Sequence, residues 1–444
     1  MIAGDGARVL GAARAVLAAR ECCVLGLDWG FLGEADGRGY FTPTEDEVVR
    51  AGYANYLAMR GSLIDVLGEL EEECGRAADD WRLRRPAFAV TLAAAVLLAR
   101  GSRGAMGLAG RSRVLRKKLD EADVCRGVPA KTFARLYQAA TARDRLAKLY
   151  EAMAWFRGNR ADFTGVSAGG EFDEILALLD AQSVADLSRG LLLRDRLRYR
   201  WFSFRRRHHS AWKKSVFELF RFSGSMISDL RQPGSRGGLV AKRVTAAQRV
   251  AVLERARPGD IFITRHDDAL SNLFLPGFWP HAALYLGSEA QRRERGIVLE
   301  GADTAGEARF LEAKKDGVLV RPADDTLAVD ALIVLRPPLG DEAIGEALRR
   351  ALAHAGKLYD FVFDFRTSDR LACTEVVYRA YYDCGGLKFQ LKEVGGRLCL
   401  PAEELIHQAL EQGFEVLLSC GIGSGGLLRG QRAELALHSS RAGI

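Results

Sequence analysis

The chain has 444 residues, of which 48% are hydrophobic and 27% charged, with a formal net charge of +7. That length exceeds one ordinary hydrophobic core, so two or more domains are expected, and the composition is that of a soluble globular protein. Eight cysteines, none in a C-x-x-C pair or beside clustered histidines, give no sign of a disulfide scaffold, a redox dithiol or a zinc site, and no cofactor or metal is expected.

The N-terminal stretch is alanine-rich but broken by Arg14 and Arg20, which does not make the uninterrupted apolar segment of a signal peptide. A cytoplasmic protein with reduced thiols is the expectation. Helical spacing of apolar residues runs through Glu45–Cys74 and Lys131–Phe156, and two shorter helices are expected within Glu171–Leu193. The apolar run Ala87–Ala99 is shorter than the roughly 20 residues of a membrane span and reads as a buried helix.

Charge is uneven. Residues 1–240 carry a net of +9 and residues 241–444 a net of −2, so an anionic partner belongs to the first half. Its most basic segment, Arg194–Lys214, interleaves nine Lys/Arg with five aromatics. One reading is a solvated basic helix face with its aromatics packed inward. The other is a surface for anionic lipid headgroups, which would make the protein peripheral on a membrane. No nucleic-acid-binding module accompanies the segment, so a nucleic-acid partner is not expected. The Pro/Gly-rich stretch Arg231–Gly238 reads as a linker. The domains expected are a helical one over 1–235, an α+β one over 240–420, and a flexible tail over 421–444.

After a helix at Thr245–Ala256, short β-rich runs appear at Asp260–Thr264, His281–Leu286, Ile297–Glu300, Val318–Arg321, Leu332–Leu335 and Glu415–Ser419. Helices are expected at Asp341–Ala355, Ala372–Tyr382 and Pro401–Gln412. Strands segregated from helices predict a mainly antiparallel sheet packed on helices.

Cys373 falls at the first turn of the helix LACTEVVYRAYY, where unpaired N–H groups and the helix dipole favour a thiolate and offer oxyanion donors. His281 opens the strand HAALYLG, a poor place for an imidazole unless it has a partner. His208 and His209 lie in the basic segment, His354 and His407 in amphipathic helices, His438 in the tail and His266 in a polar loop. An imidazole base needs an orienting acceptor, and Glu300, ending the run IVLE, is placed beside His281 if the two runs pair. Asp260, opening the first strand after Pro258–Gly259, shapes the turn or lines the site.

The segments RPGDIFIT, PHAALYLG, IVLEG, Tyr359–Asp360 and LACTEVVYRAYY, in this order, resemble the permuted branch of the NlpC-type papain-like cysteine hydrolases, the YiiX/YaeF-like proteins. In that branch the histidine strand precedes the cysteine helix. The resemblance covers about 160 residues and leaves out the helical half. It implies a permuted papain-like fold with Cys373 as nucleophile, His281 as base and Glu300 as the orienting third member. Tyr359, Thr374, Glu375, Trp279 and Asp260 would line the site or meet substrate. Thr374 stands where the family pattern has serine. The segment RHDDALSNLFLPGFW before His281 reads as a substrate flap or a lipid-contacting loop.

The implied activity is hydrolysis of an amide or peptide-like bond through a thioester. A more distant similarity, to lecithin–retinol acyltransferase-like enzymes, implies the alternative of a lipid acyl hydrolase or acyltransferase at a membrane surface. A non-catalytic adaptor using the helical half is the second alternative. Gly421, Gly423 and Gly426 spell G-x-G-x-x-G, but a dinucleotide site needs a following helix and a second parallel strand, with an acidic residue about twenty positions on.

Overall fold

The computed structural model describes residues 2–21, 29–76, 81–163, 170–182, 242–267, 277–299, 307, 309–394, 396–422 and 426–441. The chain divides into two compact units, Met1–His209 and Ser210–Ile444. Arg194–Lys214 and the expected linker Arg231–Gly238 lie outside the described residues, as does Glu300.

The first unit is helical. Its elements are α1 (Ile2–Glu21), α2 (Leu32–Arg38), α3 (Pro43–Arg76), α4 (Trp81–Arg111), α5 (Arg113–Lys118), α6 (Thr132–Ala140), α7 (Arg143–Gly158) and α8 (Gly170–Asp180). The apolar run in α4 buries Ala89, Val90, Ala93, Ala94, Val96 and Leu97 against Val16, Leu63 and Ile175 of neighbouring helices. By length and composition the stretch Arg85–Arg111 is sufficient to cross a membrane, its most apolar 18 residues having a mean hydropathy of 1.2, yet 56% of those are buried inside this unit. The helix expected over Lys131–Phe156 is broken in two. Thr141 turns its hydroxyl back to the Tyr137 carbonyl and Ala142 takes an extended backbone, so α7 starts afresh. Buried charges pin α3 to the segment after α5. Arg50 bridges Asp46, Glu121 and Asp123, while Lys118 reaches both Asp46 and Glu121 at 2.6 Å.

The second unit is a seven-stranded antiparallel sheet between two apolar layers. Its strands are β1 (Ile261–Arg265), β2 (His281–Gly287), β3 (Arg309–Lys314), β4 (Gly317–Pro322), β5 (Ala331–Arg336), β10 (Glu415–Cys420) and β11 (Leu428–Arg429), in the order β11-β10-β5-β1-β2-β3-β4. Between them run two-stranded ribbons, β6 (Leu358–Tyr359) with β7 (Arg370–Leu371) and β8 (Lys392–Val394) with β9 (Arg397–Cys399). The helices are α9 (Ala246–Leu253), α10 (Glu289–Glu294), α11 (Ala323–Leu327), α12 (Asp341–Leu352), α13 (Cys373–Tyr381), α14 (Ala402–Glu411) and α15 (Gln431–Arg441).

Because side chains alternate along a strand, each central strand feeds both layers. Ile261 and Ile263 of β1, Ala282 and Leu284 of β2, and Ile333 and Leu335 of β5 pack on α12, α13 and α14. Phe262, Ala283, Tyr285, Leu332 and Val334 pack on the opposite side with Val252 of α9 and Phe310 of β3. Being covered on both faces explains why these strands read as nearly continuous apolar runs.

Two expectations fail here. The run Ile297–Glu300 is not a strand over its described residues 297–299. The edge of β2 that it was expected to cover is taken by β3, with Leu284 opposite Leu311 and Tyr285 opposite Phe310. The flexible tail is also overturned, since β11 pairs with β10 and α15 buries Ala433 and Leu437 completely. The Gly421 of the G-x-G-x-x-G string ends β10 at φ 74°, where a Cβ would lie 2.0 Å from the Asp330 carbonyl oxygen, so only glycine fits.

Candidate active site

Cys373 is the first residue of α13 and is 3% exposed. The turn that starts the helix is held by Glu375, whose carboxylate accepts from the Ala372 N–H at 3.4 Å and pairs with Arg379 at 2.8 Å. Val376, Val377 and Ala380 seat the helix on the sheet. This packing brings the helix N-terminus to the open end of β2, where the Thr374 and Ala282 N–H groups point at the sulfur and the Pro280 carbonyl lies 4.0 Å from it.

His281 begins β2, opposite Thr264 of β1, with its side chain 20% exposed. The segment leading to it is fastened from the C-terminal end of the chain. Glu403 of α14 accepts from the Phe278 and Trp279 N–H groups at 2.8 and 2.9 Å and pairs with Arg441 of α15 at 2.8 Å. The Trp279 indole donates to Ser440 at 3.1 Å. Gly277, at φ 102°, lets the backbone pass so close to Glu403 that a Cβ there would overlap it.

The imidazole bridges two groups. Its Nε2 is 2.7 Å from Oε2 of Glu312, and the ring is hydrogen-bonded to the Cys373 thiol. Continuing the β2–β3 register by one pair sets Glu312 opposite Ala283, a diagonal step from His281 on the same face. Glu312 is fully buried, and its Oε1 accepts from Thr326 at 2.9 Å and from Lys314 at 2.7 Å, with the Arg321 guanidinium at 3.5 Å.

Electrostatics follow from this chain of contacts. Burial opposes ionisation of Glu312, but His281 and Lys314 outweigh it and hold the carboxyl down at about 2. Burial likewise opposes a charged ring at His281, yet Cys373 and Glu312 raise it to about 9. At Cys373 burial works against the thiolate, while the His281 charge and hydrogen bond and the Ala282 and Thr374 N–H groups bring the thiol below its ordinary value. At Cys384, Cys399 and Cys420, which have no imidazole beside them, burial outweighs the weaker contacts and pushes each thiol up instead. Cys373 and His281 therefore favour a thiolate–imidazolium pair, an arrangement suited to attack on a carbonyl and return of a proton to the leaving group.

The other expected site residues are distributed as follows. Tyr359 lies by the site: its strand β6 pairs with β7 so that it faces Leu371, two residues before Cys373, and burial, with the Cys373 charge beside it, keeps its hydroxyl protonated. Thr374 is buried and offers the sulfur its backbone N–H. Glu375 turns away to Arg379 and to the helix cap, and its burial pushes the carboxyl up to about 8. Asp260 does not line the site. It sits at the other end of β1 from Thr264, with its carboxylate on Arg336 at 2.7 Å and on the Arg257 N–H at 2.7 Å, where it holds the turn. Trp279 is 1% exposed in the core against α15 and presents no face to a substrate.

Glu312 was not among the residues singled out from the sequence. The signal for it was the Asp316–Gly317 pair where the Lys315–Asp316 turn joins RFLEAK to GVLVRP, the mark of a hairpin whose first strand carries the carboxylate.

Compared with known proteins, residues 255–412 match the family described as permuted papain-like amidase enzymes, YaeF/YiiX, C92. No curated protein and no solved structure matches, and nothing in the comparisons extends the similarity to lecithin–retinol acyltransferase-like enzymes. With the histidine strand ahead of the cysteine helix and an antiparallel sheet packed on helices, residues 255–412 are similar to the permuted papain-like amidases in both sequence and fold class.

Proposed function

We propose that the protein is a cysteine amidase that cleaves an amide or peptide-like bond through a thioester. In this reading the Cys373 thiolate attacks the carbonyl carbon and the C–N bond breaks. The His281 imidazolium gives its proton to the departing amine, and the neutral ring then takes one from the water that hydrolyses the thioester. Glu312 orients the ring through Nε2 and favours its charged form. The first-turn N–H groups of α13 face the oxyanion, and the protonated Tyr359 hydroxyl lines the site. The observation that carries the reading is the continuous hydrogen-bonded series Cys373, His281, Glu312, placed where a helix N-terminus meets a strand end.

Lipid acyl hydrolysis or acyl transfer at an anionic membrane surface is the second reading. What favours it is the net charge of +9 on residues 1–240, with the basic-aromatic segment Arg194–Lys214. Incubating wild type and Cys373→Ala with a peptide library and with anionic liposomes, then identifying products by mass spectrometry, separates the two. Peptide or amide cleavage by wild type alone is the expected result, fatty-acid release or transfer by wild type alone moves the assignment to lipid, and no product in either arm sinks both in favour of an adaptor.

A further inference from the structure

Directly after Tyr359, the loop 360–366 carries three more aromatic rings, of which Phe365 is buried in the core. Phe361 and Phe363 are each half-buried, and both contact the Tyr359 ring, at centroid distances of 4.9 and 6.0 Å and near-perpendicular angles. The loop is built to hold them still. The buried Asp360 carboxylate accepts from the Val362 and Asp364 N–H groups at 2.8 Å each, Arg397 donates to the Val362 carbonyl at 2.9 Å, and the Phe365 N–H bonds to the Leu398 carbonyl at 2.8 Å. Phe363 nevertheless takes φ 53°, a left-handed conformation that a bulky side chain adopts only when its surroundings impose it. Tyr359 and Phe363 pack in part on the core of the domain, and Tyr359, Phe361 and Phe363 all keep some exposed surface. They form a rigid aromatic wall beside the nucleophile, since Tyr359 lies across from Leu371, two residues before Cys373, and feels its charge.

We propose that Phe361 and Phe363, with the ring of Tyr359, form an apolar subsite beside Cys373 that takes an aliphatic or aromatic group attached next to the scissile carbonyl. The inference rests on Cys373 being the nucleophile and names the substrate class: amides of apolar acyl groups or apolar amino acids rather than of charged ones. An edge-to-face cluster of rings receives alkyl and phenyl groups by contact and burial and offers no charge to a polar one.

The test uses the full-length protein and measures second-order rates of Cys373 modification by iodoacetamide, N-hexyl iodoacetamide, N-phenethyl iodoacetamide and a cationic N-aminoethyl analogue. Each rate is divided by the rate of the same reagent with glutathione. The subsite predicts that the hexyl or phenethyl reagent gains about tenfold or more over iodoacetamide, the size of effect that burying such a group produces, while the cationic one gains nothing. A hexyl gain marks an acyl chain and a phenethyl gain an aromatic side chain. Phe361→Ser and Phe363→Asn should each bring the ratio down toward that of glutathione. Asparagine tolerates the left-handed backbone, so the second variant keeps the loop's shape. An apolar gain near one in wild type, or a gain that survives in both variants, overturns the subsite. Failure of the nucleophile reading shows separately, in the absolute rate with iodoacetamide: Cys373 would then react no faster than the exposed Cys125.

Discussion

A carboxylate with no exposed surface needs its charge answered by neighbours. Glu312 has His281, Thr326, Lys314 and Arg321 around it, and each contact serves the imidazole indirectly by keeping the carboxylate ionised and fixed. Cys373 and His281 were legible in the sequence because each broke a local pattern, a thiol at a helix start and an imidazole opening an apolar strand. Glu312 was not, because RFLEAK, with three charges in six residues, does not read as a buried strand. Only the fold shows that Glu312 meets His281. Replacing Glu312 by Gln removes the charge that helps hold His281 at about 9. The ring's pKa then falls and the thiol's rises, so the acid limb of Cys373 reactivity moves to higher pH and turnover drops about 100-fold. Thr326→Val should move the same limb in the same direction by less, with about a three- to tenfold loss, and Thr326→Ser should restore it. A pH–rate profile checks both: an unshifted limb in Glu312→Gln would contradict the orienting role.

At the scale of elements, the sheet and the three helices over it were readable from periodicity, with β1, β2, β4, β5 and β10 each within two residues of expectation. What escaped was β3 and the end of the chain. Its last helix is short and polar on the outside, and its value lies in long-range contacts that no local window shows. Ser440 and Arg441 fasten Trp279 and Glu403, which position the approach to His281. Gly421 and Gly430 both have left-handed backbones, but only at Gly421 would a Cβ meet the neighbouring strand. Gly430→Ala is therefore expected to cost about 1 kcal/mol and Gly421→Ala at least about 3 kcal/mol, read from urea unfolding. Equal, small effects would mean that the end of β10 does not lie against Asp330 and β5 as described.

At the scale of the molecule, the first unit is helical and the second sets Cys373, His281 and Glu312 together in an α+β fold. The boundary expected at the linker 231–238 lies outside the described residues, while the circular order of the papain-like domain came from the order of motifs, histidine strand before cysteine helix. The substrate was not legible at any scale. It depends on walls such as the Phe361–Phe363 loop, assembled from turn geometry rather than from a periodic pattern. The central claim is that Cys373 and His281 form a thiolate–imidazolium pair, and the rate of Cys373 alkylation by iodoacetamide against pH tests it most directly. An ion pair predicts reactivity well above that of Cys125 already at pH 6, sustained up to the His281 value of about 9. A Cys373 that reacts no faster than Cys125, and only as pH rises through the ordinary thiol range near 8.5, would contradict it.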